Sequence, residues 1–154
     1  MSEREPSFQP YEEFRSVVRA EWTDLNEHFN SVRYLDVFRD AFVQFLGTAD
    51  LSVRTHPGGG TMFQGEAHVR YERELLVGAP ILVRSWLVAA DAKRLHHFHE
   101  MFHAEAGFRA ATAEYLHLHI TLETRRVGPM PADDAVGRRI VLAPPAGAPS
   151  QGSD

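Results

Sequence analysis

Cysteine is absent from all 154 residues, which excludes disulfides, thiolate nucleophiles and Cys-ligated zinc and fits a reducing compartment. A surplus of positive charge is absent too. Lys and Arg number 16 against 21 Asp and Glu, a formal charge of -5. Broad electrostatic binding to nucleic acid or to an anionic membrane is therefore not expected, and an anionic ligand needs a local basic patch. No apolar run approaches the roughly 20 residues that cross a bilayer, and no signal-like apolar stretch follows Met1. A soluble, cytoplasmic protein is the expectation.

What is present is enough apolar material, 44% of the chain, for one core and one domain. Residues 1–10 are polar with two prolines and are expected to be flexible; residues 143–154, APPAGAPSQGSD, are too rich in Pro, Gly and Ala to pack. The folded domain is expected over 11–142. Phe14, Val17, Val18, Ala20 and Trp22 alternate loosely, as in a half-buried strand. Tyr34, Leu35, Phe38, Ala41, Phe42, Phe45 and Leu46 recur at helical spacing, with Asn30 or Ser31 as N-cap and Gly47 as stop. A Gly-rich connection, RTHPGGG, precedes Thr61. Strands are then predicted over Met62–Tyr71, Pro80–Ala90 and Arg109–Leu122. The second is apolar on both faces, hence central, and the VGAP turn before it predicts a hairpin with its predecessor. One helix lying across an antiparallel sheet, an α+β layer, is the implied architecture.

The chemistry concentrates in Glu21–Asn30, EWTDLNEHFN, where polar residues lead into the helix. Asp24 placed there faces the positive end of a helix dipole and unpaired backbone N–H groups, a setting in which a carboxylate and an oxyanion can be held opposite one another. Asp24, Asn26 and Asn30 equally suit plain turn and cap roles. A second motif competes. His99-Glu100-Met101-Phe102-His103 is a literal HExxH, which on a helix would offer two imidazoles to zinc and a glutamate as base. The extended pattern wants Gly and His where Ala106 and Arg109 stand, leaving Glu123 as a distant third ligand. On a strand, His97, His99, Met101 and His103 share one face and His96, Phe98, Glu100 and Phe102 the other. His99 and His103 then lie roughly 13 Å apart at about 3.3 Å per residue and cannot share a metal. Sheet histidines and no metal are the expected outcome.

Together, Trp22-Thr23-Asp24, the loop Asn26-Glu27-His28-Phe29-Asn30, the helix from Ser31 and the strands that follow resemble the hotdog-fold acyl-CoA thioesterases of the 4-hydroxybenzoyl-CoA thioesterase-like superfamily over residues 14–130. The family loop reads DxNGHMN; here Glu27 replaces its glycine and Phe29 its methionine. The run Asp91–Glu114, DAKRLHHFHEMFHAEAGFRAATAE, resembles more narrowly the betainyl-CoA thioesterases of carnitine catabolism, in which KRLHxFHEM is a strand. The resemblance implies an antiparallel sheet of about five strands around one long helix, dimerising through the sheet as a homodimer or dimer of dimers. It implies no cofactor and an acyl-CoA substrate, with Asp24 as general base or nucleophile. The resemblance also implies that helix N-terminal amides near Asn30 polarise the thioester carbonyl, with His28 and Asn30 shaping the loop. A betaine head group calls for aromatic faces and a counter-charge. Trp22, Phe29, Tyr34, Phe38, Trp86, Phe98, Phe102 and Tyr115 are the aromatic candidates, with Glu66 or Glu100 as the carboxylate, unless Arg70, Arg73, Lys93 or Arg94 holds these in a salt bridge. The same four cations are the candidates for the CoA phosphates. Another short aliphatic or aromatic acyl-CoA, or acyl-CoA binding without cleavage, are the alternative readings.

Overall fold

A computed structural model describes residues 11–47 and 60–129. The expected N-terminal and C-terminal tails, residues 130–142 of the domain, and positions 54–59 of the Gly-rich connection lie outside the described residues. The described elements are β1 (Tyr11–Val17), α1 (Ser31–Gly47), β2 (Gly60–Tyr71), β3 (Pro80–Ala90), β4 (Arg94–His103), β5 (Arg109–Thr121) and β6 (Arg126–Val127). All pairings are antiparallel, in the order β1-β3-β4-β5-β2, with β6 on β5. One helix on one face of an antiparallel sheet is the arrangement that the hotdog resemblance implies.

The helix forms where its apolar spacing predicts. Asn30 caps it, its Oδ1 accepting the Val32 N–H at 3.0 Å, a bond of the N-cap kind. Tyr34, Val37, Phe38, Ala41, Phe42, Phe45 and Leu46 form the buried stripe. Burying a side chain of this size contributes about 1.5–3 kcal/mol each, so this stripe is what fixes α1 on the sheet. Leu35, expected in the stripe, is 41% exposed, because its place on the helix turns it to the flank, with Val37 taking the inward position. On the sheet, Ile81, Val83, Ser85 and Leu87 of β3 and Leu95, His97, His99 and Met101 of β4 are buried. They form the inner face, with His97 stacked under Phe42 at 3.8 Å between ring centroids.

Two expectations are corrected. The first strand stops at Val17 instead of running to Trp22. A single 3-10 turn, Ala20–Trp22, follows, in which the Trp22 and Thr23 N–H groups donate to the Arg19 and Ala20 carbonyls. Those local bonds replace the ladder and turn Trp22 onto Phe29. Likewise β2 and β3 do not form a hairpin: β2 pairs with β5, and β3 lies between β1 and β4, central as predicted. The intervening residues cross the sheet end. Leu75 is buried in the core there, and Gly78, at φ 82, takes a left-handed turn suited to glycine. The HExxH run is strand β4, so the helical geometry of the zincin motif does not exist here.

The inner face carries an unusual load of buried imidazole. His97 and His99 are fully buried, and His117 and His119 nearly so. Burial pushes His97 well below its ordinary value, His99 down to about 3 and His117 to about 4, with neighbouring imidazoles adding to the effect for the first two. Because the unfolded chain binds these protons near pH 6.5 and the fold does not, their contribution is complete above that pH and is lost as pH falls towards 4. The slope is about 1.4 kcal/mol per pH unit for each group that protonates only on unfolding. Urea midpoints measured at pH 7.5, 6 and 5 should therefore fall steadily; a flat series would contradict the buried, neutral array.

Candidate functional site

The loop before α1 is fixed backbone by backbone. Asp24 N–H donates to the His28 carbonyl at 3.0 Å, Glu27 N–H to the Asp24 carbonyl at 3.0 Å, and Asn30 N–H to the Trp22 carbonyl at 2.8 Å. The loop is stitched to the segment before β3: Phe29 N–H donates to the Leu75 carbonyl at 2.9 Å and Val77 N–H to the Glu27 carbonyl at 3.3 Å. Within this frame one Asp24 oxygen, Oδ1, accepts from the Asn26 and His28 amides at 2.9 and 3.2 Å. The other oxygen has no partner among the described residues and the side chain is exposed. Those two amide bonds orient the carboxylate.

At the end of the same loop, the start of α1 supplies donors. Val32 N–H is taken by the Asn30 side chain and Arg33 N–H by the Asn30 carbonyl. Ser31 N–H has no acceptor among the described residues. It is an open donor at the positive end of a 17-residue helix, where a developing negative charge is stabilised. The His28 ring does not face Asp24; its Nδ1 lies 3.1 Å from Glu74 Oε2, both side chains largely exposed.

The aromatic candidates fall into two groups on opposite faces of the sheet. Trp22, Phe29 and Tyr34 form one row: centroids are 5.8 Å apart for the first pair and 4.1 Å for the second, with Tyr71 edge-on to Tyr34 at 5.1 Å. Phe38 and Tyr115 are buried on the inner face beside the histidines. Trp86, Phe98 and Phe102 share the outer face with Glu100. There Trp86 Nε1 donates to Glu100 at 3.0 Å, and Arg109 bridges Glu100 and Glu72 at 3.0 and 2.6 Å. Arg109 holds Glu72 below the usual carboxylate range, while Glu72 raises the guanidinium in return. The cation on Glu100 is thus Arg109, not Arg70, Arg73, Lys93 or Arg94, because the β4–β5 turn folds Arg109 back opposite Phe102. Glu66 is exposed rather than partly buried, since a bulge between Gln64 and Glu66 redirects it to the outer face.

The four cations also separate. Arg70 pairs in register with Thr112 and Arg94 with Leu118, which sets them roughly 20 Å apart along β5 at about 3.3 Å per residue. Arg73 lies over the Phe108 ring at 3.9 Å, one residue before Glu74 and hence at the Asp24 end. Arg94 is tied to Asp91 at 2.7 Å across the β3–β4 turn. Glu74, Arg109, Asp36 and His117 were not singled out from sequence. Only His117 left a trace, its period-two spacing with His119 on a strand.

Glu27 adopts φ 63, the left-handed region that the family's glycine occupies freely. The loop therefore keeps its conformation at a cost of roughly 1 kcal/mol, a strain glycine does not have. Glu27→Gly should leave thermal stability unchanged or raise it by up to about 1 kcal/mol. A loss of more than that in a denaturation curve would mean that the Glu27 side chain itself holds the loop.

The profile of the thioesterase-like superfamily matches residues 18–140. The chain is 33% identical over 136 residues to the L-carnitine dehydrogenase/betainyl-CoA thioesterase of Ruegeria pomeroyi, covering 88% of this chain but only 28% of that protein. It is 30% identical to the betainyl-CoA thioesterase of Pseudomonas aeruginosa, over 85% of this chain and 94% of that one. Among solved structures, a Staphylococcus aureus protein in complex with CoA superposes with a TM-score of 0.76 at 28% identity, covering 84% and 81% of the two chains. The 1,4-dihydroxy-2-naphthoyl-CoA thioesterase of Synechocystis superposes at 0.69 and 22% identity, over 77% and 88%, a likeness of fold. Profile, relatives and architecture agree: the chain has the hotdog fold and belongs to the thioesterase-like superfamily.

Proposed function

We propose that this protein is an acyl-CoA thioesterase and that its substrate is betainyl-CoA, released as betaine and CoA in carnitine breakdown. The observation that carries the chemistry is the Asp24 carboxylate, one oxygen held by two amides and the other without a partner among the described residues, in the loop that leads into α1, where Ser31 N–H has no acceptor among the described residues. The betainyl assignment is supported by the Pseudomonas aeruginosa relative, which this chain matches along nearly its whole length.

The mechanism follows from that geometry. The thioester oxygen lies at the helix start, where the N–H donor and the dipole stabilise the charge of the tetrahedral intermediate. Asp24 either takes a proton from the attacking water or attacks the carbonyl itself, giving a mixed anhydride that water then opens. In both routes the CoA thiolate leaves and the free acid is released. Asn30 holds the helix start, and His28, paired with Glu74, holds the loop rather than transferring a proton. Trp22, packed on the buried Phe29 and Tyr34, is the aromatic nearest solvent on this side, and Arg70 and Arg73 are the cations on hand for CoA phosphates.

A second copy completes the site. Among the described residues β2 lies at the end of the sheet, with Phe63 and Tyr71 exposed along it; an edge strand is a template for another strand. Pairing across it gives a homodimer with the sites between protomers, in a cytoplasmic, cofactor-free enzyme.

Asp24→Asn keeps the loop's acceptor atom and removes the charge. It should lower kcat by at least about a hundredfold, the scale of a lost general base, while the urea midpoint moves little. Turnover close to wild type would remove Asp24 from the mechanism.

A further inference from the structure

Tyr71 is the last residue of β2 and half exposed, and its hydroxyl donates at 2.8 Å to the carbonyl of Ser31, the first residue of α1. Its ring stands edge-on to the buried Tyr34 with centroids 5.1 Å apart, a geometry that aromatic pairs favour. Its backbone is in register with Ala111 of β5. The side chain is therefore set by the sheet on one side and by the helix on the other, and its hydroxyl ties the two together at the helix start.

The peptide between Ser31 and Val32 is gripped at both ends by side chains: Tyr71 holds its C=O at 2.8 Å, and Asn30 Oδ1 holds its N–H at 3.0 Å. The preceding peptide, between Asn30 and Ser31, has its C=O held by Arg33 N–H at 2.8 Å. Its own N–H, that of Ser31, has no acceptor among the described residues. Three hydrogen bonds thus pin two consecutive peptide planes, and the donor they leave over is Ser31 N–H. Because each peptide is planar, only φ and ψ of Ser31 lie between the two planes, so a hold on the second plane also aims the first. The nearby ties between Phe29 and Leu75 and between Val77 and Glu27 are made by backbone groups. Tyr71 adds a side-chain tie from the sheet to the helix start itself.

We propose that Tyr71 is a positioning residue for thioester hydrolysis, its hydroxyl fixing the peptide after Ser31 so that Ser31 N–H is already aimed when negative charge develops on the thioester oxygen. The inference rests on the thioesterase reading and on the helix start as the place where that oxygen is held. A donor stabilises an oxyanion best when it needs no reorientation as the charge forms. Removing the hydroxyl therefore weakens the hold on the transition state and leaves the binding of the ground-state thioester almost untouched.

The test is kcat and KM for thiol release by the full chain, Tyr71→Phe, Asn30→Ala and the double variant, with whichever of betainyl-, acetyl-, butyryl- and benzoyl-CoA the wild type cleaves fastest. Tyr71→Phe keeps the ring on Tyr34 and removes the hydroxyl alone. It should lower kcat about tenfold, less than the roughly 10²–10³-fold cost of deleting an oxyanion donor outright, with KM almost unchanged, the pattern of an interaction made only in the transition state. Asn30→Ala should lower kcat as well. Because both side chains act through one peptide, the double variant should lose much less than the product of the two single losses. The split between kcat and KM in Tyr71→Phe decides the matter if Asn30→Ala does not fold. A wild-type kcat in Tyr71→Phe, a loss confined to KM, or single losses that multiply overturns the positioning role and leaves the thioesterase reading standing. A wild type that releases no thiol from any of the four overturns the thioesterase reading and this inference together.

Discussion

Everything in this fold hangs on the packing of one apolar helical stripe against a sheet face that is partly polar. Phe38, Phe42 and Phe45 of α1 cover Ser85, His97, His99 and His117. Such groups are costly to bury unless each finds a partner. They find one another. The hydrogen-bonded row lets the helix seal the sheet with both ring nitrogens of His97 and His99 partnered, and it holds only while the imidazoles stay neutral. The aromatic stripe and the histidine row thus depend on each other: the stripe excludes water, and the row makes that exclusion tolerable.

Once α1 is seated, its first turn has a fixed position, and the loop before it is bound on both sides. Thr23 bridges Phe29, and His28 bridges Leu76, so the Asp24 turn is held between the helix and the segment entering β3. A carboxylate on a long surface loop would sample many positions. Here the two amides on Oδ1 and the clamp around Glu27 leave it little freedom, the preorganisation that the proposed acyl transfer requires. The strained Glu27 is a local cost accepted within that clamp.

Much of this was legible in the sequence because the signals were local. The spacing from Tyr34 to Leu46 defined α1, Asn30 its cap, and the two-sided apolar run from Pro80 its central strand. Alternation also assigned the faces of β4, but the choice of strand over helix for the HExxH run came from the family resemblance, because Leu95, Phe98, Phe102 and Ala106 fit a helical stripe as well. What misled was non-local. The turn residues before Pro80 are as compatible with a sheet-end crossing as with a hairpin, and only the pairing of β2 with β5 decides. The end of β1 was hidden because a 3-10 turn tolerates the same β-forming residues. The Arg109–Glu100 pair and the Ser85–His99–His97–His117 row join three strands, and no spacing along one strand announces them. The cage candidates scattered for the same reason: Trp22 and Trp86 look alike in sequence yet stand on opposite sides of the sheet.

Thioester hydrolysis is tested most directly by thiol release from the wild-type protein supplied with betainyl-, acetyl-, butyryl- and benzoyl-CoA. Rapid release from betainyl-CoA, well above the other three, is the predicted result. No thiol from any of the four would contradict the assignment and leave the chain as a hotdog protein that binds acyl-CoA without cleaving it.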